Sequence, residues 1–208
     1  MESMTLSQMM RVSLAMPALL VLSVLVVGQA LERLYVFWAA RRLPYAFWER
    51  VLARLEEGDR GGAITLCERS ADPIGQAFLR LLLLPERSTE RLVEAFQLHR
   101  QRFSMELNRR LGLFGTASFI APLIGLLGTV LGIMRAFHDL AAAGTGGPAV
   151  VAAGISEALV ATAAGIGVAV FSAVLYNYFT LAARERLATL DLWVLELARV
   201  LAEVPAKG

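Results

Sequence analysis

Glu157 is the only formally charged residue between Ala149 and Ala183, and Thr162 follows it five positions later in the string GISEALVATAAGIG. A lone carboxylate placed where lipid or packed protein should be costs several kcal/mol unless it is protonated or paired, so an acid in such a stretch points to function. A further hydroxyl, Thr129, interrupts an equally apolar run in APLIGLLGTVLGIMRAF. One carboxyl group and two hydroxyls can take up and pass on a proton, or solvate a small cation, without fixing more than one charge. The other reactive side chains offer less. His99 and His138 are isolated, Cys67 stands alone, and no nucleotide-binding or metal-ligand spacing occurs, so an enzyme is not expected and neither cofactor nor metal is implied.

The elements that hold these residues must sit in a membrane. With 57% hydrophobic and only 18% charged residues in 208 positions, and a mean hydropathy of +0.59, the chain is too apolar for an ordinary soluble domain. Three uncharged or nearly uncharged runs can cross a core of about 30 Å at about 1.5 Å per residue: Val12–Leu31, Leu111–Met134, and Ala149–Ala183, which carries Glu157. The net charge of +2 is small and mixed along the chain, which gives no footprint for nucleic acid.

The arginines set the expected topology. Residues 32–110 hold 14 of them, with Arg33, Arg41 and Arg42 after the first run and Arg100, Arg102, Arg109 and Arg110 before the second. The connection from Arg135 to Pro148 has one, and Arg184 and Arg186 follow the third run. The positive-inside rule then places the N-terminus outside and the C-terminus inside. A signal peptide is the rival reading of the first run, given Arg11, about 16 apolar residues and the small triplet Gly28, Gln29, Ala30. Against it, the segment that follows is rich in arginine and has a single cysteine, unlike an exported domain.

The periodicity is helical nearly throughout, so the expected fold is all-α: three transmembrane helices, the second and third very long and extending into the cytoplasm, plus short cytoplasmic amphipathic helices. The expected divisions are 1–38 for an outer tail and the first span, 39–87 for the short helices, 88–143 for the second long helix with its span at about 111–136, 148–204 for the third with its span at about 149–181, and a tail at 205–208. Pro44, the Gly58–Gly62 cluster, Pro73 and Pro85 divide the short helices at roughly 45–57, 62–71 and 74–84. Each long helix would measure roughly 80 Å.

Paired as a hairpin about a turn at residues 145–146, Thr129 and Thr162 fall at one depth, and Glu157 lies about 7 Å nearer the outer face. Ser118, Pro122, Gly125, Thr129, Gly132 and Ala136 make a thin, weakly polar stripe on one helix, and Thr162, Gly165, Ala169, Ser172 and Tyr176 share a face of the other. Close packing is the plain explanation for small residues such as Gly125, Gly128, Gly132 and Gly165. For Glu157 it is a carboxylate reaching interfacial water. Glu157 and Thr162 are also about 140° apart around an ideal helix, so both cannot face one narrow pore equally.

The strings at 121–137 and 154–177 closely resemble the second and third membrane helices of the ExbB/TolQ/MotA proton-channel family, above all its ExbB and TolQ branch. The resemblance is specific over about residues 110–190. It implies that Thr129, Glu157 and Thr162 line the proton pathway of a homopentamer around a dimer of a single-span ExbD/TolR-like protein, which brings the proton-binding aspartate. It also implies a proton-driven motor, with a TonB/TolA-like or gliding-machinery protein as a further partner. Two other classes stay open: a non-conducting membrane scaffold, and a secondary transporter, which would usually show more spans and an internal repeat.

Overall fold

The computed structural model describes residues 15–39, 45–70, 72–84, 88–143 and 148–203. Arg11, Val12, Arg41, Arg42, Pro44, Pro85, the turn at 145–146 and Pro205 lie outside the described residues. Seven helices are described: α1 (Ala15–Ala39), α2 (Tyr45–Glu56), α3 (Arg60–Glu68), α4 (Pro73–Leu82), α5 (Thr89–Asn108), α6 (Gly112–Ala143) and α7 (Pro148–Glu203). Among the described residues there is no strand. Three segments are long and apolar enough to cross a membrane, Ala15–Phe37, Thr89–Ala141 and Val151–Glu203, the last two of 53 residues each. The all-α class with two very long helical segments is therefore the observed one.

The second of these segments was expected as a single helix, and it is not. Arg109 is extended (φ −54°, ψ 128°) and Arg110 adopts a left-handed conformation with φ 60°, so α5 ends and α6 begins one turn later. The three residues between the helices, Arg109, Arg110 and Leu111, include no glycine or proline, and Gly112 opens α6 instead of making the turn. The left-handed region costs a non-glycine residue about 1 kcal/mol, and local bonds offset it. The Asn108 amide donates to Ser104 O at 2.8 Å, and the Arg110 guanidinium donates to both Glu32 carboxylate oxygens at 3.0 and 2.9 Å. The chain re-enters helix through Leu113 N–H to Arg110 O and Phe114 N–H to Leu111 O.

The chain forms two compact units. One comprises residues up to Val36 and Arg110–Thr180, with α1, α6 and the first part of α7. Leu19 of α1 meets Ala121 and Ala169, with Leu22, Ile124 and Val168 packed around them. Phe114 and Phe179 stack with centroids 5.8 Å apart. Outward faces stay oily: Phe119, Leu123, Leu127, Val130, Val170 and Val174 are all about half exposed or more, as expected of surfaces covered by lipid or further copies.

The other unit comprises Phe37–Arg109 and the chain from Leu181 onward. Its short helices start where the sequence supplies caps: Asp59 accepts from Gly62 N–H at 2.8 Å, Asp72 accepts from Ile74 N–H at 2.8 Å ahead of Pro73, and Ser88 accepts from Arg91 N–H. Their apolar faces close on the last part of α7 around Trp48, Phe78, Phe96, Trp193 and Leu197. Trp48 and Trp193 stack at 5.3 Å, and the Trp48 indole N–H donates to Glu196 at 3.0 Å. Arg100 Nε donates to both Asp191 oxygens at 2.7 and 2.9 Å. Arg186 lies over the Phe37 ring at 4.5 Å and donates to its carbonyl.

Candidate functional site

The site lies on the line where α6 and α7 meet, and glycine makes that meeting close. A methyl group added at Gly165 would come within 2.6 Å of the Ala121 carbonyl oxygen and 3.1 Å of Gly125 Cα. At Gly125 it would meet Ala161 O at 2.9 Å and Thr162 Cα at 3.0 Å, and at Gly132 it would meet Ala158 Cβ at 2.7 Å. Gly154 stands in the same relation to Ala136. At Gly165 and Gly125 these are approaches of backbone to backbone, and at Gly132 and Gly154 of backbone to an alanine methyl, each too close for an added side chain without a shift. Gly128 is buried in the same helix.

This packing places Thr129 against Thr162. Their hydroxyls hydrogen-bond to one another, which their equal depth on the two helices permits. Thr162 Oγ1 also lies 3.1 Å from Gly125 O, while Thr129 Oγ1 lies 3.3 Å from Gly125 O and 3.2 Å from Ala158 O. Each hydroxyl has a single proton to donate and two lone pairs to accept with. The pair thus has more acceptors than protons, and the direction of the Thr129–Thr162 bond can reverse without moving a heavy atom.

The two small-residue stripes are the two sides of this seam within one chain. The faces that carry Thr129 and Thr162 look at each other, and both residues are partly buried there. Packing therefore accounts for the close approaches at Gly125, Gly132 and Gly165 directly. Ser172, fully buried, satisfies itself by donating to Val168 O at 2.7 Å.

Glu157 sits apart from the hydroxyl pair, beyond Ala158 on the side away from Thr162. It lines a cavity of about 590 Å³ together with Gly132, Arg135, Ala136, Asp139 and Gly154. Sequence reasoning missed Arg135 and Asp139 as companions of Glu157. Their signal was visible, since both lie three to seven positions past Gly132 on α6, opposite the start of α7 in a hairpin of this register.

Elsewhere the reactive groups are quiet. Cys67 is buried in the core of the second unit, and burial pushes its thiol up to about 11, so it stays protonated and unreactive. Among the described residues no group of three or more His, Cys, Asp or Glu side chains could hold a metal ion.

Residues 68–191 match the profile of the MotA/TolQ/ExbB proton channel family, which is more than half of the chain. The chain belongs to this family. It is 34% identical over 164 residues to the ExbB-like protein 3 of Synechocystis, covering 77% of this chain and 78% of that one. Over 101 residues it is 41% identical to the biopolymer transport protein ExbB of Aquifex aeolicus, covering 49% of this chain and 66% of that protein. The Tol-Pal system protein TolQ of Haemophilus influenzae is 38% identical over 97 residues, which cover 47% of this chain and 42% of TolQ. The chain is thus an inner-membrane protein of a proton-channel family, of the ExbB and TolQ type, and the site just described lies inside the matched region.

Proposed function

We propose that the chain is the pore-forming subunit of a proton-driven motor in the bacterial inner membrane, coupling proton flow to mechanical work through an ExbD/TolR-like partner. The Thr129–Thr162 hydroxyl pair carries this reading. It is a reversible hydrogen-bonding group at a helix crossing in an otherwise apolar pair of helices, with the Glu157 cavity farther along the same two helices. Among the described residues no carboxylate lies at the depth of the pair, and on this reading the group that takes up and releases the proton comes from the partner. Five copies around a dimer of a single-span protein would present five such pairs at one level, and the arginine distribution supports an N-terminus outside and a C-terminus inside.

The mechanism uses each residue differently. Thr129 and Thr162 solvate the partner's carboxylate and pass a proton by reversing their bond. Glu157 sets the field met by a proton arriving from outside. When the partner's aspartate is neutralised, its attraction to one side of the ring falls and the ring steps around the asymmetric dimer. About 2.3 kcal/mol is available per charge per 100 mV. The machine served is a TonB-, Tol- or gliding-type system, with a TonB/TolA-like or gliding-machinery protein as the receiver of the work.

The test is the native mass of the detergent-extracted complex, tagged on this chain, together with proton-coupled activity of Thr162→Ala, Thr129→Ala and Glu157→Gln. Five copies bound to two copies of a single-span protein, with each substitution lowering activity at least about tenfold while assembly persists, would fit the motor. A complex with no such partner, or full activity in all three variants, would leave a non-conducting scaffold as the better reading.

A further inference from the structure

Arg135 is a cation in the cavity that also holds Glu157 and Asp139. Two carboxylates alone at the mouth of a pathway would make an attractive site for sodium or potassium, as rings of Asp and Glu do in cation channels. The guanidinium changes that formal balance from two negative charges to one for each copy. His138 is exposed on the same turn of α6 and does not line the cavity.

We infer that Arg135 determines ion specificity: its guanidinium in the Glu157–Asp139 cavity keeps metal cations out of the mouth while protons pass. The inference rests on the proton-pore reading above and deepens it, by naming a residue that keeps metal cations from the same path. The physical difference is one of transport. A proton crosses as a change of bonds along water and hydroxyl groups, and its path continues at the Thr129–Thr162 pair. A sodium ion must carry its own volume and part of its hydration shell past a like charge. The surrounding wall offers it little else, because Gly132, Ala136 and Gly154 supply no side-chain oxygen.

The experiment uses the whole native complex, reconstituted in vesicles of phosphatidylethanolamine and phosphatidylglycerol, with proton and sodium uptake measured separately. Arg135→Gln is expected to raise the ratio of sodium to proton uptake about tenfold or more, and Arg135→Lys to keep it near the native value. A role confined to packing would not be rescued by lysine and would not move the ratio. Ala153→Glu adds an acid to the same cavity wall without touching Arg135 and is expected to raise the ratio too, which keeps the test valid if the glutamine variant fails to assemble. An unchanged ratio in the assembled Arg135→Gln complex, or in Ala153→Glu where that variant alone assembles, overturns the inference while native proton uptake upholds the pore. Absence of proton uptake by the native complex overturns the pore reading, and this inference with it.

Discussion

The two units of the chain are held together by opposite means. Around Trp48, Phe78 and Trp193 the interior is filled with large side chains, and its cohesion comes from volume. Along the α6–α7 seam there is almost no side chain at all, and its cohesion comes from backbones that touch where glycine and alanine permit. In water, burying aromatic surface stabilises at about 25 cal/mol per Å². Between apolar helices in lipid that driving force is absent, and close van der Waals contact takes its place. One region is therefore vulnerable to the loss of atoms and the other to their gain.

Substitutions that remove or add atoms should separate the two. Trp193→Ala leaves a cavity beside Trp48 and Phe78 and should cost about 3–5 kcal/mol, seen as a large drop in the thermal transition of the purified complex. Gly165→Ala is a far smaller change, yet it drives a methyl into the Ala121 carbonyl and should cost about 1–3 kcal/mol. Asp191→Asn weakens the half-exposed pair with Arg100 and should cost no more than about 1 kcal/mol in the same assay. Gly61→Ala is the control of opposite sign. Its added methyl meets nothing nearer than 3.9 Å, so the helix-propensity gain of about 0.5 kcal/mol should appear as a stabilisation. If both glycine substitutions move stability the same way, the contrast between the units fails.

The smallest effect is a pH dependence. The Gly62 N–H holds the Asp59 carboxyl below its usual range, desolvation opposes it, and the Arg54 guanidinium adds to the lowering. The unfolded chain therefore binds this proton more readily than the folded one. The contribution is fully present above about pH 4 and is lost as pH falls through the lower folded value. In Asp59→Asn the acid side of the stability profile should flatten slightly, read from thermal transitions taken between about pH 3 and pH 6.

How much of this could be read beforehand follows from which interactions are local. The depth match of Thr129 and Thr162 needed only the helical rise and a symmetric turn, but that their faces meet in a hydrogen bond did not follow from it. Glu157 announced itself by being alone. The orientation of the stripes was less legible, because small residues suit a water-lined face and a tight seam alike. The stack of Trp48 on Trp193 joins residues far apart in sequence, and no spacing rule links them. The interruption at Arg110 was hidden for another reason: a left-handed residue is normally announced by glycine or asparagine, and here an arginine takes that conformation while bonded to Glu32 on another helix.

The glycine seam has one more implication, for how motion could travel. A layer of side chains between two helices gives compliance, since rotamers can change while the axes slide. Where Gly165 and Gly125 bring main chain against main chain, a side chain carried into either place would meet a carbonyl oxygen, Ala121 O at 2.6 Å or Ala161 O at 2.9 Å. Such a seam leaves little slack, so on the proposed motor reading a displacement at Thr129 and Thr162 would be shared by both helices along it.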